Sequence, residues 1–179
     1  MKLVLLGFRA TGKSLIGKLL AQEFGLPFID LDCFISERAG QSIARIVAQE
    51  GWPKFRALER EALRALLHKP APFVLALGGG AVMHKEEMAA LKKQAFMIWL
   101  VAQPETILKR LTKDQKTSAQ RPSLTGKPLE KEIEEVLAQR EPLYRDLAHL
   151  VVETDQRSPR EVVAEIKKHL PVSGEIGRV

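Results

Sequence analysis

The hydrophobic positions show two textures along the chain. Short, nearly continuous apolar runs stand at Leu3–Leu6, Pro27–Ile29, Phe73–Leu77, Phe96–Val101 and Leu150–Val152, the pattern of strands buried on both faces of a parallel sheet. Between them, apolar residues recur three and four positions apart and predict helices. Leu15, Ile16, Leu19, Leu20 and Phe24 mark a helix over 14–24 that Gly25 closes. Cys33–Arg38, Ser42–Gln49 and Pro53–Leu67 form three helical segments separated by Gly40 and Gly51. The third carries a buried stripe of Phe55, Leu58, Ala62, Leu63, Leu66 and Leu67. Further helices are predicted around Glu86–Lys93, over Pro104–Leu111, and over Glu130–Gln139 and Glu141–Ala148, with a break at Pro142. A last one runs over Ser158–His169, with Pro159 in its first turn. Strand and helix alternate, which is the order of an α/β fold.

Two stretches depart from this texture. From Thr112 to Lys127 the chain is polar, with Lys113, Lys116, Arg121 and Lys127 and almost no large apolar residue. It adds little core and reads either as a disordered insertion or as a mobile lid that closes over phosphates, in which Pro122 would stiffen the chain beside Arg121. Residues 171–179 read as a flexible tail, leaving 1–170 as a single domain with the lid at 112–127.

The chemistry concentrates at the carboxyl ends of the strands, where open parallel sheets bind ligands. After the first strand stands Gly7-Phe8-Arg9-Ala10-Thr11-Gly12-Lys13-Ser14. The spacing G-x-x-x-x-G-K-[ST] between a strand and a helix aims backbone N–H groups and the helix N-terminus at phosphate oxygens. Lys13 would then reach the β- and γ-phosphates, and the Ser14 hydroxyl would bind Mg²⁺. The second strand ends in Asp30-Leu31-Asp32, a pair able to serve a metal and to accept a proton from a hydroxyl. Asp32 is also placed to cap a helix starting at Cys33. The third strand ends in Gly78-Gly79-Gly80, which removes every side chain and lets a ligand approach backbone amides. His84, just beyond, reads as a surface or capping residue. Arg56 and Glu59 lie near the start of the third helical segment, and Pro142 is placed to set the angle of Arg140.

Composition narrows the field. The 179 residues carry a net charge of +6, with basic residues spread along the chain and only 6% aromatics. That is no stacking-rich nucleic-acid surface, and a cationic pocket for phosphate and carboxylate accounts for it. Gly7, Arg9 and Lys13 cut the first apolar run short of a signal sequence, and no run approaches a membrane span. The one cysteine, Cys33, suits a reducing cytoplasm and, by type, a small buried hydrophobe.

Taken together, Gly7 to Ser14, Asp30-Leu31-Asp32, Phe55-Arg56, Gly78-Gly79-Gly80, Arg121-Pro122 and Arg140-Glu141-Pro142-Leu143-Tyr144 resemble the shikimate kinases in order and spacing, up to about His169. The resemblance implies a three-layer P-loop fold, a five-stranded parallel sheet flanked by helices, that transfers the ATP γ-phosphoryl group to the 3-hydroxyl of shikimate. It implies a monomer in the cytoplasm with ATP and shikimate as its ligands. Gly7, Arg9, Ala10, Thr11, Gly12, Lys13, Ser14 and Leu15 would then hold ATP, with Arg110 and Arg157 beside the adenine and Arg121 as the lid arginine. Ser14 and Asp30 would serve Mg²⁺, and Asp32 would act as base. Arg56 and Arg140 would clamp the substrate carboxylate, a guanidinium fork matching a planar carboxylate. Gly78, Gly79, Gly80 and Glu59 would complete the acceptor site. Two positions depart from the family pattern. Ala10 stands where many members have glycine, which is harmless where that position needs no positive φ. Leu15 replaces a Thr or Ser and removes a hydroxyl from the nucleotide site. The residues alone also fit another small-metabolite P-loop kinase, for gluconate or a nucleotide, or a P-loop NTPase that is not a kinase.

Overall fold

A computed structural model describes residues 1–113 and 122–171. Its sheet is all-parallel, in the order β2-β3-β1-β4-β5. The strands are β1 (Lys2–Leu6), β2 (Phe28–Asp30), β3 (Phe73–Ala76), β4 (Ala95–Val101) and β5 (Leu150–Glu153). β1 lies at the centre, so the loop that follows it opens in the middle of the carboxyl edge.

Side chains alternate across the sheet and build a core on each face. Val4 and Leu6 point to one face with Leu75 and Trp99, packed under α2 (Leu31–Ala39), α3 (Ile43–His68) and α4 (Lys85–Lys92). Leu3 and Leu5 point to the other with Val74 and Ile98, under Ile16 and Leu20 of α1 (Lys13–Phe24). The last helix, Pro159–His169, completes that second face through Val162 and Ile166. A third cluster joins Phe8 to α5 (Pro104–Lys113) and α6 (Leu129–Leu147) through Ile107, Leu111, Ile133 and Val136. The Pro159–His169 helix, α7, starts from a Ser158–Glu161 capping box.

Lys2 is buried at the start of β1, and its ammonium donates to the carbonyl of Leu67 (2.8 Å) and to Gln94 Oε1 (3.0 Å). A cation thus meets the carbonyl end of α3, where the helix dipole favours it. Among the described residues no helix is long and apolar enough to cross a membrane.

Several expectations need correction. Glu130–Gln139 and Glu141–Ala148 are one helix, with Pro142 inside it. Pro142 and Ala138, whose carbonyl loses its usual donor, are both exposed, so that carbonyl is not stranded in the core, and the buried Tyr144 and Leu147 hold the turn in place. The polar stretch does not begin as a loop, because Thr112 and Lys113 are the last residues of α5. The second and third helical segments run together as α3, yet Gly51 keeps φ 81° and ψ 172°, so the glycine does interrupt the helix. The helix after β2 starts at Leu31, and its cap is Asp30, not Asp32. Cys33 is exposed, not buried.

Candidate active site

The carboxyl edge of the sheet opens into a cleft of about 960 Å³. Arg9, Ala10, Gly12, Lys13, Ser14, Leu15, Asp30, Asp32, Arg56, Glu59, Gly78, Gly79, Gly80, Arg110 and Arg140 all line it. Segments far apart in sequence therefore converge on one place.

The loop between β1 and α1 is braced from within. Lys13 Nζ donates to the carbonyls of Gly7 (2.9 Å) and Phe8 (2.7 Å), and the buried Thr11 hydroxyl donates to Phe8 O (2.8 Å). Gly12 takes a left-handed conformation (φ 96°) as the N-cap of α1, so bare backbone faces the cleft where the helix begins. Ala10 also has positive φ, 62°. The condition under which alanine there is harmless is not met, and the loop carries a strained residue.

Ser14 Oγ donates to Asp30 Oδ2 at 2.5 Å. The other Asp30 oxygen accepts from the N–H groups of Asp32 (3.1 Å) and Cys33 (3.3 Å). One carboxylate thus caps α2 and turns its second oxygen toward the phosphate loop. A hydroxyl and a carboxylate are hard oxygen donors that fit Mg²⁺, which takes few protein ligands and completes its shell with water and phosphate. No cluster of three or more His, Cys, Asp or Glu side chains is arranged for a metal among the described residues.

The three glycines do different things. A Cβ on Gly78 would stand 2.8 Å from Asp32 Oδ1 and 3.1 Å from Glu59 Oε1, and one on Gly80 would overlap the Arg56 guanidinium. The Gly79 carbonyl accepts from the Tyr144 hydroxyl at 2.6 Å. Asp32, Glu59 and Arg56 can close on this backbone only because no side chains intervene.

Arg56 and Arg140 both reach this backbone, Arg56 at Gly80 and Arg140 at Gly79, where a Cβ would stand 3.6 Å from its NH1. Arg56 NH1 donates to Glu59 Oε2 at 2.5 Å, and its guanidinium lies 5.4 Å and 5.2 Å from the Trp52 and Phe55 ring centroids. Arg140 contacts Tyr144, and its pKa is lowered by burial and by the nearby Arg56 charge. Two guanidiniums held together, one partly desolvated, form a site for an anion. Burial pushes the Tyr144 phenol up to about 12, so it stays a neutral donor.

Sequence reasoning missed two groups. His84 is not a surface residue; it is 5% exposed and its Nε2 lies 2.9 Å from Glu59 Oε2. Glu132, 1% exposed, bridges the phosphate loop to the segment before α6. It accepts from Arg9, from Ser123 Oγ (2.5 Å) and from the N–H groups of Leu124 (2.9 Å) and Thr125 (3.0 Å). An acid in a helix's first turn looks solvated, so no signal in the sequence could have found it. Arg110 donates to Ala10 O (3.2 Å) and Thr154 O (2.8 Å), which ties α5 to the loop. Arg157 is exposed and does not line the cleft. Arg121 lies outside the described residues, together with residues 114–120 of the expected lid.

A P-loop at the head of a five-stranded parallel sheet, facing an arginine pair across one cleft, defines a small-molecule P-loop kinase. Comparison with known proteins makes this specific. The family model "Shikimate kinase" matches residues 9–171. The chain is 43% identical to shikimate kinase 2 of Yersinia enterocolitica, over 90% of this chain and 91% of that protein. It is 40% identical to shikimate kinase of Rhodopirellula baltica, over 96% and 91%. Shikimate kinase from Acinetobacter baumannii in complex with shikimate superposes with a TM-score of 0.85 at 32% identity, over 93% of this chain and 90% of that one. The enzyme from Aquifex aeolicus gives 0.76 at 31%, over 94% of each. The chain belongs to the shikimate kinase family.

Proposed function

We infer that the chain transfers the γ-phosphoryl group of ATP to the 3-hydroxyl of shikimate, giving shikimate 3-phosphate and ADP. The observation that carries this reading is the pairing of Arg56 and Arg140 beside the triple glycine, an anion site within the phosphate loop's own cleft. Family membership supports the same reading.

The acceptor's carboxylate is clamped by Arg56 and Arg140, each offering a planar pair of N–H donors. The backbone of Gly79 and Gly80 lies against the ring, and Asp32 takes the proton of the attacking hydroxyl. The hydroxyl oxygen bonds to the γ-phosphorus as the bond from that phosphorus to the bridging oxygen breaks, and ADP leaves with the bonding pair. Lys13, released from the loop carbonyls, pairs with the β- and γ-phosphates, and the α1 N-terminus adds its positive end. Ser14 and Asp30 would hold Mg²⁺, which supplies neutralisation of phosphate charge when bound. We place the enzyme in the cytoplasm as a monomer.

ADP release with shikimate, gluconate and nucleoside monophosphates as parallel acceptors tests this. Release confined to shikimate is expected; release with another acceptor alone would retain the phosphate loop and overturn the clamp.

A further inference from the structure

The geometry points to His84 as a positioning residue of the acceptor site, acting through Glu59 on Arg56. The inference rests on the carboxylate clamp proposed above.

His84 is the N-cap position of α4, yet its side chain makes no capping bond. The ring turns inward, 5% exposed, and places Nε2 2.9 Å from Glu59 Oε2. Glu59 is fully buried and accepts the Arg56 guanidinium on that same oxygen. A carboxylate in an ion pair only accepts, so His84 is the donor, through Nε2–H. Both donors converge on Oε2, while Oε1 has no hydrogen-bond partner among the described residues and faces Gly78.

The shared oxygen sets the role. With His84 in place, Glu59 presents one oxygen to Arg56, and the rest of the guanidinium fork stays available to a carboxylate. Without His84, Glu59 is free to turn and take Arg56 through both oxygens, in competition with the acceptor. His84 follows the turn that begins at Gly80, its N–H bonded to Ala81 O at 3.1 Å. It therefore also ties the glycine turn to α3.

The test uses the full-length enzyme. His84→Ala is expected to raise the shikimate KM about tenfold, the loss of one charge-assisted hydrogen bond, with kcat and the ATP KM nearly unchanged. His84→Gln, whose side-chain amide again offers a donor, is expected to recover most of the loss. In ¹⁵N-resolved NMR the His84 ring is expected as the Nε2–H species, perturbed by Glu59→Gln. If wild type phosphorylates shikimate while His84→Ala keeps its shikimate KM, or moves both KM values alike, the inference falls and the function stands. If wild type does not phosphorylate shikimate, the function falls. The NMR readout needs no substrate, and an Nδ1–H species or a spectrum blind to Glu59→Gln would overturn the link.

Discussion

The Tyr144 hydroxyl donates to the Gly79 carbonyl at 2.6 Å, fastening α6 to the glycine turn that both arginines approach. Tyr144 is also the chain's only tyrosine, so phenolate absorbance near 295 nm reports this residue alone. Burial raises its pKa to about 12, above the ordinary value of 10. The folded state holds this proton more tightly than the unfolded state. The stability linked to Tyr144 is thus fully present below pH 10 and is lost as pH rises toward 12. Spectrophotometric titration is expected to give a native midpoint near 12 and an unfolded one near 10; a native midpoint at 10 would contradict the buried phenol.

Asp30 combines two jobs that substitution separates. Asp30→Asn keeps an oxygen for the N–H groups of Asp32 and Cys33 but loses the charge beside Ser14, so stability holds while more Mg²⁺ is needed for half-maximal rate. Asp30→Ala loses both, with about 1 kcal/mol of stability. Urea unfolding beside Mg²⁺ titrations checks the pair.

Arg140→Lys keeps the charge and loses the fork. The shikimate KM is expected to rise at least about tenfold, with the ATP KM unmoved, because a charged hydrogen bond contributes roughly 1.5–3 kcal/mol. Steady-state kinetics with each substrate varied in turn reads this directly.

Ala10→Gly relieves a left-handed alanine. Since that conformation costs an L-residue roughly 1–2 kcal/mol, and glycine gives part back through its freer unfolded chain, a gain of about 0.5–1 kcal/mol in urea unfolding is expected. An unchanged midpoint would show that the loop is not strained at φ 62°.

Much of this was legible in the sequence because its signals are local. The five strands, the phosphate loop and the glycine turn each follow from a few adjacent residues. The misreadings arose where contacts distant in sequence decide. Pro142 looks like a break until exposure of its surroundings and the anchoring of Tyr144 are known. His84 and Glu132 are polar residues in helix-start positions, and only the fold brings them to Glu59 and Arg9. Asp30 and Asp32 both stand out in the sequence, but which one caps α2 depends on where the helix begins.

The most direct test of the central claim is the position of the new phosphate. With ATP, Mg²⁺ and shikimate, ³¹P–¹H correlation NMR is expected to show a single phosphomonoester coupled to the proton on carbon 3. Its formation is expected to fall about 10²–10⁴-fold in Asp32→Asn, with ATP affinity retained. Phosphate on another hydroxyl, free phosphate as the only product, or undiminished transfer by Asp32→Asn would contradict it.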